Sequence, residues 1–253
     1  MKISLCPYNY SFGTSSRSYI SHNDRKVMTT TYIFREDFEW LEFSDYIVRH
    51  FKNKDKVNFI QFASSDGSEA YTQIISLLEK HQNTDKFFPI QAYDIDNASV
   101  KAARSGLINV HRSDKNAFKE HDIFFEKYFH STDRMLIFPG DSFSPKFKSD
   151  DPFYVRTHQV ADDLTNRVNF YQRDMFDVLR NLEDDSNTVL MCRNVLGHLS
   201  REKVNEFVDL ASEKLKKGSL LVIGSYDGLN SHNDKYIQSK GFIPVMKDVY
   251  RRK

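Results

Sequence analysis

The chain has 253 residues, with 36 Lys and Arg against 35 Asp and Glu, a formal net charge of +1; 40% of its residues are hydrophobic and 14% aromatic. These proportions exclude a disordered chain, and no apolar run approaches the roughly 20 residues of a membrane-spanning helix, so a cytoplasmic globular protein is expected, one domain with a sizeable insertion. Near-neutral charge argues against broad phosphate-backbone binding, and two distant cysteines, Cys6 and Cys192, suit neither a disulfide framework nor a metal cluster of the usual spacing.

Met1 to Met28 is rich in Ser, Tyr and Asn, lacks the basic-then-apolar order of a secretion signal, and shows no helical or strand period. It reads as a weakly ordered, slightly basic arm, with order beginning near Thr29. Glu36 to Phe51 carries Phe38, Leu41, Tyr46 and Ile47 at helical intervals. Val57 to Ala63 is a short apolar strand, closed by the turn cluster Ser64-Ser65-Asp66-Gly67. Ala70, Ile74, Leu77 and Leu78 then share one helical face. Phe87 to Tyr93 is a second strand, after which Asn97 can cap a helix closed by Gly106. Val168 to Gln172 and Thr188 to Cys192 are further strands. Ser200 opens a helix with Val204, Phe207, Val208, Ala211 and Leu215 on its buried side, stopped by Gly218. Leu220 to Ile223 is a strand, and the tail through Phe242 and Val249 supplies one or two more.

Short, wholly apolar strands alternating with amphipathic helices indicate a mostly parallel sheet with helices on both faces. Leu107 to Arg167 breaks the alternation, because it far exceeds a connection of about 2–6 residues. With its aromatic patch (Phe118, Phe124, Phe125, Tyr128, Phe129) and a strand-like stretch from Met135 to Val155, it reads as an inserted subdomain or lid.

In such sheets ligands bind outside the carboxyl ends of the strands. The small residues of Ala63-Ser64-Ser65-Asp66-Gly67-Ser68-Glu69 suit close approach of backbone N–H groups to a ligand, or simply a tight strand-to-helix turn. The glycine fingerprints of nicotinamide and P-loop sites are absent. Asp94, after the second strand, is placed either to accept ribose hydroxyls or to form a cap. Asp174-Met175 is either an adenine contact or a surface turn. Cys192-Arg193-Asn194-Val195 ends a buried strand with a cation and an amide that need partners. His198 reads as a structural histidine and Arg35 as a surface ion-pair partner, each taken alone, and Glu36 suits a helix N-terminus.

Phe34-Arg35-Glu36, the Ala63 to Tyr71 turn, Ala92-Tyr93-Asp94-Ile95-Asp96 and Cys192-Arg193-Asn194-Val195 occur in this order at suitable separations. Together they resemble the chemotaxis-receptor glutamate methyltransferases of the CheR type, over roughly residues 29–253. The resemblance implies a Rossmann-like, seven-stranded class I methyltransferase sheet that uses S-adenosylmethionine and no metal. It places the cofactor along Ala63 to Glu69, with Asp94 and Ile95 at its ribose and Asp174-Met175 beside the adenine. Thr31, Arg35 and Glu36 would close over its methionine end, and Arg193 and Asn194 would line the reaction mouth. Arg35, Arg193 and His198 are the expected catalytic contacts, and a receptor or other protein is the expected partner. A counterpart of the family's small receptor-contacting β-subdomain is expected within 107–167.

The chain departs from the family's usual Ser-Thr-Gly-Glu-Glu turn at Asp66 and Ser68, carries Phe62 where a small residue is usual, and has His198 where the family has a tyrosine. Its first 28 residues are too short for the family's N-terminal helical domain. A glutamate acceptor, of ordinary pKa about 4.3, is already ionised at neutral pH and needs no general base. Two alternatives stay open: a methyltransferase for another acceptor (small molecule, nucleic acid or protein nitrogen), and a scaffold that binds the cofactor without turnover.

Overall fold

The short apolar runs of the sequence become the strands of one twisted sheet. A computed structural model describes residues 17–21, 25–29, 31–111, 114–134, 136, 155–183, 187–228 and 231–253. In chain order its elements are β1 (Arg17–Ser21), β2 (Arg25–Thr29), α1 (Trp40–His50), β3 (Asn58–Phe62), α2 (Ser68–Lys80), β4 (Ile90–Asp94) and α3 (Asn97–Arg104). There follow β5 (Leu107–His111), α4 (Asp114–Glu120), β6 (Phe129–Ser131), β7 (Val155–Val160), α5 (Asp162–Thr165), β8 (Val168–Gln172) and α6 (Met175–Arg180). The chain continues through β9 (Thr188–Cys192), α7 (Arg201–Lys214), β10 (Leu220–Ile223), α8 (Ser225–Gly228), α9 (Ser231–Ser239), β11 (Phe242–Met246) and β12 (Val249–Arg252).

Seven strands form the main sheet in the order β11-β12-β10-β9-β3-β4-β8. All neighbours run parallel except those of β12, which is antiparallel to both β10 and β11. The chain winds outward from β3 through β4 to β8, then crosses back to β9 on the other side of β3. That reversal opens the ligand crevice of an α/β sheet. Register sharpens the point. Phe62 is level with both Tyr93 and Cys192, so the next residues, Ala63, Asp94 and Arg193, leave the sheet side by side.

One face of the sheet packs against α1 and α2, where Phe43, Ile47, Ala70, Ile74 and Leu77 meet Phe59 and Met191. The other packs against α6 and α7 through Leu179, Phe207, Val208 and Ala211 onto Ile60, Phe62 and Leu190. Each of the larger side chains among these contributes about 1.5–3 kcal/mol on burial. Strand β9 is buried at every position, which fixes the base of the crevice.

Several local expectations shift. Helix α1 begins at Trp40 rather than Glu36, because residues 34–39 turn toward the crevice instead of coiling. Asp96, not Asn97, caps α3, its carboxylate accepting the Ser99 N–H at 2.5 Å. Helix α7 is capped by Ser200 as read, but it ends at Lys214, short of Gly218. Residues 17–21 and 25–29 pair as an antiparallel hairpin, where the sequence carried no strand period.

Residues 107–160 hold a separate antiparallel sheet in the order β5-β7-β6. Phe118 contacts Phe125 and Phe129 with ring centroids 5.1 and 5.7 Å away, and Phe34 meets Phe118 edge-on at 5.1 Å. Of the aromatic patch read from sequence, Phe118, Phe125, Tyr128 and Phe129 are buried and join the core that also holds Phe34, whereas Phe124 is 69% exposed. Most of the strand-like stretch from Met135 to Val155 lies outside the described residues.

Candidate active site

The turn after β3 is built from left-handed backbone: Ala63, Ser65 and Gly67 have φ of 51°, 49° and 90°. Gly67 is needed twice over, since a Cβ there would lie 2.7 Å from the Phe170 ring. Asp66 and Ser68, the two departures in this turn, satisfy each other. Ser68 donates both its N–H (3.1 Å) and its Oγ–H (2.6 Å) to Asp66 Oδ1, tying an anion to the start of α2. The Oγ atoms of Ser64 and Ser65 are buried without a protein partner.

Asp94 reaches across from β4. Its Oδ2 accepts the Ser65 N–H at 2.7 Å and its Oδ1 the Asp96 N–H at 2.8 Å. Burial pushes its carboxyl up to about 6, partly offset by those backbone donors. Each carboxylate oxygen keeps a further lone pair for a ligand hydroxyl.

At the end of β9, Arg193 is wholly covered. Its guanidinium donates to Glu69 Oε1 at 2.8 Å and to Asp37 Oδ1 at 2.6 Å, and lies 4.6 and 4.8 Å from the ring centres of Phe38 and Trp40. Expected to line the mouth, Arg193 instead braces it from beneath. Burial pushes the Glu69 carboxyl up, against the pull of Arg193. Asn194 adopts φ 58° and donates through Nδ2 to Asp37 Oδ2 at 3.0 Å, while its Oδ1 is buried without a protein partner. Gly224 admits it: a Cβ there would lie 2.2 Å from Asn194 Oδ1. Asp227 holds the same loop, accepting the N–H groups of Gly197 and Gly224 at 2.9 Å each.

Arg35 joins the group through its Nε, 3.2 Å from Asp37 Oδ2. Residues 63–69, Asp94, Arg193, Asn194 and Arg35 are thus brought together. The others stand differently. Thr31 is half-buried, Glu36 is exposed and outside α1, and Ile95 is 48% exposed beside Asp94. His198 is exposed on a short 3-10 turn, Leu196–His198. Asp174 caps α6, its Oδ1 accepting from Phe176 N–H at 2.7 Å, and Met175 packs its sulfur 4.0 Å from Cys192 Sγ. Asp37 went unread in the sequence; the available signal was an acid two residues after Arg35, directly before Phe38, the first of the two aromatics that enclose Arg193.

Buried polar atoms are nearly always satisfied. The unpartnered Oγ atoms of Ser64 and Ser65, in the turn whose Ser65 N–H binds a carboxylate suited to ribose, fit S-adenosylmethionine. Residues 29–138 and 141–243 match the family model described as CheR methyltransferase, SAM binding domain. The chain belongs to that family. Chemotaxis protein methyltransferase 1 of Vibrio cholerae is 23% identical over 216 residues, which cover 83% of this chain and 69% of the relative. The chemotaxis protein methyltransferase of Vibrio parahaemolyticus is 22% identical over 228 residues, 88% of this chain and 74% of the relative. Among solved structures, the [4+2]-cyclase SpnF overlaps at a TM-score of 0.42 with 12% identity, over 81% of this chain and 59% of its own.

This CheR-family chain is an S-adenosylmethionine-dependent methyltransferase, and the seven-stranded sheet above is its class I, Rossmann-like frame. Among the described residues, no group of three or more His, Cys, Asp or Glu is placed to hold a metal ion, and no helix is long and apolar enough to cross a membrane.

Proposed function

We propose that this methyltransferase esterifies glutamate side chains of a chemoreceptor-like protein. When bound, the cofactor supplies a methyl on a charged sulfur: the new C–O bond to the carboxylate forms as the C–S bond breaks, and the bonding pair leaves with sulfur as S-adenosylhomocysteine. The chain's own task is to exclude water and to align the acceptor, which needs no proton removed.

Asp94 and the serines of the 63–67 turn hold the nucleoside, and Asn194 lines the neighbouring end of β9. Ile95 stands with Asp94 at the ribose, Asp174-Met175 flank the adenine, Thr31 and Glu36 stand near the methionine end, and Arg35 orients the acceptor carboxylate with its planar fork. His198, exposed on the loop held by Asp227, meets the acceptor at the rim. Residues 29–253 form the methyltransferase domain, and the 107–167 insertion, with its own three-stranded sheet, offers the receptor-contacting surface. The observation that carries the reading is the Arg35–Asp37–Arg193–Asn194 group set beside Asp94 at the carboxyl ends of β9 and β4.

Transfer of labelled methyl groups to a purified chemoreceptor cytoplasmic fragment, followed by mild base, tests it. Methyl esters release labelled methanol. Label that survives base points to a nitrogen acceptor and removes the glutamate assignment while leaving the family and the cofactor intact.

A further inference from the structure

Asp37 joins three side chains of the mouth with one carboxylate. Its Oδ1 accepts from Arg193 at 2.6 Å, and its Oδ2 accepts from Asn194 at 3.0 Å and lies 3.2 Å from Arg35 Nε. Its backbone carbonyl accepts from Ser225 Oγ at 2.8 Å. These partners come from the segment before α1, from the loop after β9 and from the first residue of α8, after β10. One residue therefore fastens residues 31–40 across the carboxyl ends of the sheet.

The neighbours of Asp37 reinforce the fastening. Phe38 and Trp40 enclose the same guanidinium that Asp37 grips, and the Trp40 indole N–H donates back to the Arg35 carbonyl at 2.9 Å. On the side of α2, the Phe34 N–H donates to Thr72 Oγ1 at 3.0 Å. The position of Arg35 is thus set by a network whose centre is Asp37. An arginine directs a carboxylate only as well as its own fork is held.

We propose that Asp37 is a positioning residue for methyl transfer: by gripping Arg35, Arg193 and Asn194 with one carboxylate, it fixes the direction in which Arg35 meets the acceptor. This rests on the reading of Arg35 as the group that orients an acceptor carboxylate. Charge gives it a signature. Asp37 and Glu69 oppose Arg35 and Arg193, so removing the Asp37 charge leaves the mouth more cationic. An anionic acceptor is then attracted at least as well, while its alignment is lost.

The test uses Asp37→Asn and Asp37→Glu in the full chain, with calorimetry giving the stoichiometry of S-adenosylmethionine binding. Label transfer to the receptor fragment gives kcat per competent site and the acceptor KM. D37N is expected to lower kcat by about 10–100-fold, with KM unchanged or reduced, because a displacement of about 1 Å at a reacting group costs that order of rate. D37E, which restores the charge one methylene too far out, is expected to recover part of that loss. A D37N kcat per bound cofactor within twofold of the parent overturns the proposal, as does a fall expressed wholly in KM. Should D37N bind cofactor substoichiometrically, D37E decides alone: full stoichiometry with kcat at least fivefold low supports the proposal, and parental kcat overturns it. Loss of stoichiometry in both variants also overturns it, leaving Asp37 a purely structural residue. Failure of the glutamate reading is recognised separately, because the parent chain itself would then give no base-labile product; the proposal falls with it.

Discussion

Replacing Arg193 with Met removes a fully covered guanidinium, keeps most of the volume of its stem, and strands two acids. Glu69 loses a partner at 2.8 Å and Asp37 one at 2.6 Å, and the rings of Phe38 and Trp40 lose the cation between them. Removing one member of a buried ion pair costs about 3–5 kcal/mol. The lost cation–ring contacts add about 1–2 kcal/mol, of which methionine–ring contact restores up to about 1. R193M should therefore unfold with about 4 kcal/mol less free energy at pH 7. A urea titration followed by fluorescence reads this directly, since Trp40 is the single tryptophan of the chain and is buried. The deficit also has a sign in pH. Burial already holds the Glu69 carboxyl above its ordinary range and Arg193 opposes the rise, so deleting Arg193 lets it climb further. A carboxyl raised in the folded state binds its proton more tightly there, so stability is gained as pH falls through that folded value. The gap between variant and parent should be widest at neutral pH and narrow toward pH 5. A loss below about 1 kcal/mol, or a gap that widens on acidification, would refute the bracing role of Arg193.

Three further outcomes follow from the geometry. Because burial lifts Asp94 to about 6, calorimetric affinity for S-adenosylmethionine should weaken between pH 7 and pH 5, as acid protonates the ribose acceptor. D94N should mimic the acid form, binding about 10–100-fold more weakly at pH 7.5 with a flattened pH profile. Gly67→Ala puts a methyl 2.7 Å from Phe170 in left-handed backbone, and should cost about 2–4 kcal/mol in urea unfolding. Asp227→Asn sets an amide N–H against a backbone donor at Gly197 or Gly224; it should cost about 1–3 kcal/mol, lowering the thermal midpoint by roughly 5 °C, and reduce kcat with little change in cofactor affinity.

The central strands were legible because burial on both faces demands unbroken apolar runs: Thr188 to Cys192 reads as one, and every residue of it is buried. Ala63, Asp94 and Arg193 were legible as a set for the same reason, since each stands where such a run stops. What escaped depends on distance in the chain. Asp37 looks like any acid ahead of a helix, and its meaning lies in Arg193 and Asn194, 156 and 157 residues away. The start of α1 was misplaced for a related cause: aromatic spacing from Phe38 suggested a helix, whereas Phe38 is spent on enclosing Arg193. Arg193 itself was read as facing the mouth because sequence shows a cation at a strand end, not the two carboxylates that draw it under. The first hairpin sets its apolar residues side by side, Tyr19 with Ile20 and Val27 with Met28, rather than in alternation, so periodicity missed it.

The placement of β12 between β10 and β11 has a consequence for how the protein is made. Strand β11 leaves the synthesis machinery first, yet among the described residues it pairs with β12 alone, and β10 keeps an open flank until residues 249–252 arrive. During translation the growing polypeptide therefore carries an unfinished, adhesive border next to its most apolar strands, a period in which association with other nascent chains competes with folding. A stall or premature stop a few codons before Val249 should send product to inclusion bodies, even though every residue of the cofactor crevice has already been synthesised.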